Sequence, residues 1–184
     1  MMRHGNRRFP RAAAILVTVA LTGCPAATVD VQPESSTPSE GEVSVALIDG
    51  AGLAGVIERN RGRVVLVDFW ATWCESCVEQ FPHTIDLHRR LVEQGLSVVT
   101  VSLNEPEEED AVLQFLKGKG ATSTNYISRN GGSDKSMEDF DIDGGLPHYK
   151  LYNRQGHLHR AFATGPESLD PSEIDRAVET LLGP

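Results

Sequence analysis

The sequence predicts an α/β domain: a central mixed β-sheet flanked by α-helices on both faces. Three observations carry that prediction. Val64 to Phe69 (VVLVDF) and Ser97 to Leu103 (SVVTVSL) are nearly continuous apolar, β-branched runs. Such runs suit strands buried on both faces. Helical patterns alternate with the strand candidates, and an antiparallel hairpin pattern with a closing helix follows them. Alternating α and β ending in a hairpin implies a mixed sheet.

The elements follow in chain order. Val43 to Ile48 is a short apolar strand candidate. Gly52 to Asn60 carries Leu53, Val56 and Ile57 at helical spacing and closes in a basic turn, Arg59 to Arg63. The VVLVDF strand comes next, then a helical pattern from about Ser76 to Gln94 that Pro82 interrupts. After the SVVTVSL strand, Pro106 to Gly118 reads as a helix. Glu107 to Asp110 sit in its first turn and Lys117 near its end, so those charges complement the helix dipole. Asn125 to Ser128 is a third short strand. Tyr149 to Asn153 and Leu158 to Ala163 form a hairpin around Arg154-Gln155-Gly156. Pro171 to Leu182 is an amphipathic helix with Ile174, Ala177, Val178 and Leu181 on one side.

A chain of 184 residues suggests one domain plus extras. Its apolar content, 40%, supports a core that needs no staples. The net charge of −9 argues against nucleic acid, which repels an acidic protein.

The extras lie at the N-terminus. Met1 to Arg11 carries four arginines and no acid, and Ala12 to Thr22 is a short apolar run. A basic segment, a short apolar segment and small residues describe a secretory signal. The run is shorter than the roughly 20 residues that span a bilayer. Leu21-Thr22-Gly23-Cys24 looks like a bacterial lipobox, in which the cysteine is lipidated and becomes the first residue after cleavage. The bland alternative is an ordinary signal peptide with a cysteine nearby. The lipobox reading divides the chain into a lipoprotein signal peptide (1–23), a lipidated Cys24 with a disordered tether rich in Pro, Ser, Thr and Glu (24–41), and a folded domain (42–184). It expects a lipid-anchored protein of the cell envelope, on the extracytoplasmic, periplasmic side, where disulfides persist. With Cys24 lipidated, Cys74 and Cys77 have only each other.

That pair ends the stretch FWATWCESC. A structural zinc site wants four ligands at set spacing. The chain has no further free cysteine, and His157 and His159 read as exposed strand residues. A disulfide closing so small a loop removes little unfolded-chain entropy, so a structural staple is weak too. A redox role has a mechanism. Cys74 falls at a strand-to-helix junction, where free N–H groups and the helix dipole stabilise a thiolate. Cys77 lies one helical turn on, placed to attack a mixed disulfide formed at Cys74. Cys74 attacks and Cys77 resolves.

VDFWATWCESC resembles the active-site segment of thioredoxin-fold proteins, especially membrane-anchored thiol–disulfide oxidoreductases of the TlpA/ResA type. The resemblance runs from about Glu42 to the end of the chain and implies a thioredoxin-like fold. It places Asp68 at the family's buried acid under the cysteines, a proton acceptor for Cys77. It matches Pro82 to the kink of the active-site helix and Gly145-Leu146-Pro147 to the loop whose cis-proline faces the disulfide. Leu146 and Pro147 are then expected to bind substrate backbone, with an exposed Trp73 in the docking surface and Trp70 in the core. No cofactor is implied. The resemblance implies protein thiols and disulfides as substrates, those of exported cysteine proteins such as apocytochromes c or a copper-site protein, with a membrane or periplasmic redox donor as partner and a monomeric state.

Two positions depart from thioredoxin itself. The dipeptide between the cysteines is Glu75-Ser76 rather than Gly-Pro. Glu75 places a negative charge beside Cys74, which disfavours the thiolate and predicts a more reducing pair. His148 stands after the cis-proline position, where Thr is commoner, and is expected to point outward.

Competing readings are a copper-binding or metallochaperone module, with His148 or His83 as an extra ligand, and a disulfide oxidase or isomerase of the Dsb kind. Copper chaperones of the Sco type use a spacing one residue longer, and the Dsb kind commonly has His in the dipeptide. A peroxidase would need Thr where Ala71 stands. Asp139 to Gly144 begins like a calcium loop, but its twelfth position is Lys150 instead of Glu, so the segment is read as a turn.

Overall fold

The computed structural model describes residues 42–164 and 169–183. The expected signal peptide, Cys24 and the tether lie outside the described residues. Six strands and five helices are described: β1 (Ala46–Ile48), α1 (Gly50–Arg59), β2 (Val64–Trp70), α2 (Glu75–Leu91), β3 (Leu96–Ser102), α3 (Glu109–Lys119), β4 (Thr124–Ser128), α4 (Asp134–Asp139), β5 (Gly145–Tyr152), β6 (Leu158–Thr164) and α5 (Pro171–Leu182). The strands form one sheet in the order β1-β4-β3-β2-β5-β6. The first four run parallel; β5 is antiparallel to β2, and β6 to β5. The sheet is mixed with helices on both faces, as the sequence predicts.

Strand pleating sorts the core. Side chains alternate faces along a strand. Val65, Val67 and Phe69 of β2 pack with Leu53, Val56 and Ile57 of α1 and with Phe140 and Ile142 beyond α4. Val64 and Leu66 pack on the other face with Leu87 and Leu91 of α2 and Ile174 and Val178 of α5. Trp70 continues that face among Phe81 and Ile85 of α2 and Leu116 of α3. Every residue of β2 is buried, which explains why its sequence reads as an unbroken apolar run.

Several elements differ from expectation. β1 begins at Ala46 rather than Val43. Its ladder to β4 starts at Ala46, and the carbonyl of Ser44 accepts instead from the Asn125 side chain at 3.3 Å. α2 runs unbroken through Pro82. Pro82 is exposed and removes only the bond that Val78 would accept, while Phe81, Thr84 and Ile85 hold both halves against the sheet. β5 starts at Gly145, four residues before the expected Tyr149, because Gly145 pairs with Thr164 of the edge strand β6. The helix α4 was not foreseen. It has six residues with one buried, Ser136, whose hydroxyl sits 2.6 Å from that of Ser128, and so short an element shows no period.

Lys150 is a buried lysine on the α1 side of β5, 3% exposed. Its ammonium donates to the Phe140 carbonyl at 2.8 Å and to the Asp141 carboxylate at 3.0 Å. Asp141 adopts a left-handed backbone, φ 51°. A lysine cation thus fills the Asp-rich loop that resembled a calcium site. Replacing Lys150 by Met is expected to destabilise the fold by about 1–3 kcal/mol, mostly because the Phe140 carbonyl loses its buried donor. The Asp141 carboxylate is exposed and adds little. Urea unfolding of the variant checks this, and an unchanged midpoint would reject it.

Candidate active site

The site sits where β2 ends and α2 begins. Trp70 is fully buried, and its carbonyl accepts from the Leu103 N–H at 2.7 Å. The chain then turns through Ala71 to Trp73. Asn104, fully buried, holds that turn from the end of β3. Its side-chain oxygen accepts from the Thr72 N–H at 2.9 Å, and its amide donates to the Thr72 hydroxyl at 2.6 Å and to Glu108 at 3.1 Å. The sequence reading did not single out Asn104. Its one sequence signal is an amide directly after an apolar strand. Glu108, read only as a dipole complement, also anchors Asn104.

Cys74 is the N-cap of α2. Its sulfur accepts from the Cys77 N–H at 3.3 Å and lies 3.6 Å from the Ser76 hydroxyl. A cysteine at this position receives a free helix N–H and the positive end of the dipole, both of which favour a thiolate. Cys74 and Cys77 are joined in a disulfide, with Cα atoms 5.2 Å apart. Cys77 is the deeper of the two, 2% exposed against 9%.

A groove of about 690 Å³ opens over Cys74. Glu75, Ser76 and Glu79 of α2 line one side, and Met137, Gly145 and Leu146 line the other. Trp73 also lines it and is 60% exposed. The Leu146–Pro147 peptide is cis. Leu146 lies beyond Phe69↔His148, the last pair of the β2–β5 ladder.

Asp68 is buried on the α2 side of β2, 1% exposed. Thr84 donates to Oδ2 at 2.7 Å, while Oδ1 has no hydrogen-bond partner among the described residues. Burial pushes its pKa up to about 7, against the opposing hydroxyls of Thr84 and Tyr149. Burial and the nearby Asp68 in turn push the Tyr149 phenol well up. Thr84 lies seven residues beyond Cys77 on α2, about 10 Å along the helix axis, so the carboxyl sits a layer below the sulfurs.

His148 corrects an expectation. It does not point outward; it is buried, 2% exposed, with its ring 6.0 Å from that of Phe69. The pleat decides this: Tyr149 faces α2, so His148 and Lys150 face α1. Burial and the Lys150 charge lower its pKa, against the opposing Asp143 and Asp141. His83 lies 3.0 Å from Asp175 of α5. No group of three or more His, Cys, Asp or Glu among the described residues is arranged to hold a metal ion. His157 and His159 are exposed.

The redoxin family profile matches residues 56–178, two-thirds of the chain and the whole of this site. The chain belongs to the redoxin family. Relatives of this redoxin include the thiol–disulfide oxidoreductase ResA of Geobacillus kaustophilus, 26% identical over 98% of this chain and 99% of the relative. ResA of Bacillus subtilis is 28% identical over 85% of each chain. A solved thioredoxin-family thiol:disulfide interchange protein from Chlorobium tepidum aligns with a TM-score of 0.55 at 23% identity, over 68% of this chain and 83% of that one. The fold is thioredoxin-like, and this redoxin is a thiol–disulfide oxidoreductase of the TlpA/ResA type.

Proposed function

We propose that this redoxin works outside the cytoplasm, anchored to a membrane by lipid on Cys24, and reduces disulfides of exported proteins. The arrangement of the two sulfurs carries the reading: Cys74 caps α2 at the groove and Cys77 lies behind it. In the reduced protein, the Cys74 thiolate attacks one sulfur of a substrate disulfide. The substrate S–S bond breaks, a mixed disulfide forms, and the other substrate sulfur leaves as a thiolate that takes a proton. Cys77 loses its proton and attacks the Cys74 sulfur. The second substrate thiolate leaves, and the Cys74–Cys77 disulfide forms. Two electrons have passed to the substrate, and a membrane or periplasmic dithiol donor returns them.

Asp68, with a pKa of about 7, is the group suited to take the Cys77 proton, through an intervening water at its depth. Trp73 and Leu146 form the docking surface; Pro147, expected there, is buried and lines no part of the groove, so its role is to set the backbone that Leu146 offers to an extended substrate segment. Glu75 raises the energy of the Cys74 thiolate, which favours giving electrons away. The N-terminal signal and lipobox support the anchor. No helix among the described residues is long and apolar enough to cross a membrane. The copper-binding reading loses support, because His148 faces away from α2.

The equilibrium reduction potential of the Cys74–Cys77 pair tests the direction. A value near thioredoxin's, about −270 mV, is expected. A value near about −120 mV, that of a strong oxidant, would make the protein a disulfide donor instead.

A further inference from the structure

The groove is charged on one side only. Glu75 and Glu79 stand on consecutive turns of α2, four residues apart. Like charges at that spacing repel and weaken a helix. Asp139, on α4 with Met137, is paired with Lys135 at 2.7 Å. Glu75 and Glu79 join no ion pair among the described residues. No Lys, Arg or His lines the groove. The facing wall, Met137 and Leu146, is apolar, and the exposed Trp73 indole lies at the same opening. Two uncompensated carboxylates and an indole face together suit a cation.

We propose that Glu75 and Glu79 determine substrate choice: the groove takes extended cysteine-bearing segments with Lys or Arg close to the cysteine. This rests on the reductase reading above. Residues 75 and 79 are separated by about 6 Å along the helix, and an extended peptide advances about 3.3 Å per residue. A substrate cysteine seated at Cys74 therefore brings a cation one to three positions away onto one of the two carboxylates. The aliphatic stem of that Lys or Arg lies along Trp73, and neighbouring apolar residues meet Met137 and Leu146.

Three disulfide-linked peptide dimers test it, identical except for Lys, Gln or Glu beside the cysteine. Each is reduced by the purified protein, its cysteine pair reduced beforehand. Rates are divided by those with dithiothreitol, which removes the intrinsic reactivity of each peptide. The expected order of kcat/KM is Lys, Gln, Glu, with about tenfold between the extremes at low salt. The spread shrinks in 0.5 M salt, where exposed charges are screened. Glu79→Gln narrows the spread to about threefold and acts on KM. Equal normalised rates for the Lys and Glu peptides, or a spread that Glu79→Gln leaves intact, overturn the inference alone. Failure to reduce any of the three overturns the reductase reading beneath it.

Discussion

Replacing Cys77 by Ser is expected to turn the protein into a trap that stays covalently bound to its substrate. Cys74 still attacks, but no thiol stands one turn away to break the mixed disulfide. Well-oriented intramolecular groups reach effective molarities far above any free thiol, so turnover against millimolar glutathione is expected to fall more than about a thousandfold. Cys74→Ser should lose turnover equally and form no adduct, because Cys77 is 2% exposed. Mass spectrometry after mixing each variant with a disulfide-bonded protein reads the outcome. An adduct on Cys74→Ser and none on Cys77→Ser would reverse the assigned roles.

The second large effect concerns Asp68. Its carboxyl is fully buried, and burial raises its pKa from 3.8 to about 7. Below pH 3.8 it is protonated in both folded and unfolded chains. Between about 4 and 7 the folded chain keeps a proton that the unfolded chain has released. Its contribution to stability is therefore full below pH 3.8 and is lost as pH rises to about 7, a difference of about 4 kcal/mol. Asp68→Asn carries no such ionisation. It is expected to match the wild type near pH 4 and to exceed it by a few kcal/mol at pH 8 in urea unfolding. The same variant cannot accept the Cys77 proton, so release of the mixed disulfide should slow about a hundredfold. A stability gap between the two proteins that stays constant from pH 4 to pH 8 would discard the buried ionisation.

Local signals marked the parts of the site that lie in one stretch of chain. VVLVDFW demanded a central strand, and CESC at the start of a helical pattern demanded a helix cap with a second sulfur one turn on. The parts drawn from distant stretches were harder. Asn104 is one polar residue among many until β3 sets it against the Thr72 turn, 32 positions away. The face of His148 is not legible locally, because a residue after a proline in a loop-like segment shows no alternation. Only the pairing Phe69↔His148 gives its face. Pro82 breaks the local helical pattern without ending α2, since a single lost hydrogen bond is outweighed by the packing of Phe81 and Ile85 on the sheet.

The sequence by itself determined the α/β class, the strands of the sheet centre and the redox pair. Those follow from periodicities and spacings that act within a few residues. Tertiary structure alone decided what depends on the pleat and on strand order. It buried Asp68 against Thr84 and Tyr149 and turned His148 inward. It spent the Lys150 ammonium on the turn before β5, and it set Met137 and Leu146 across from Glu75 and Glu79. A residue's neighbours across a sheet are set by register with strands far away in sequence, and no local pattern encodes that register.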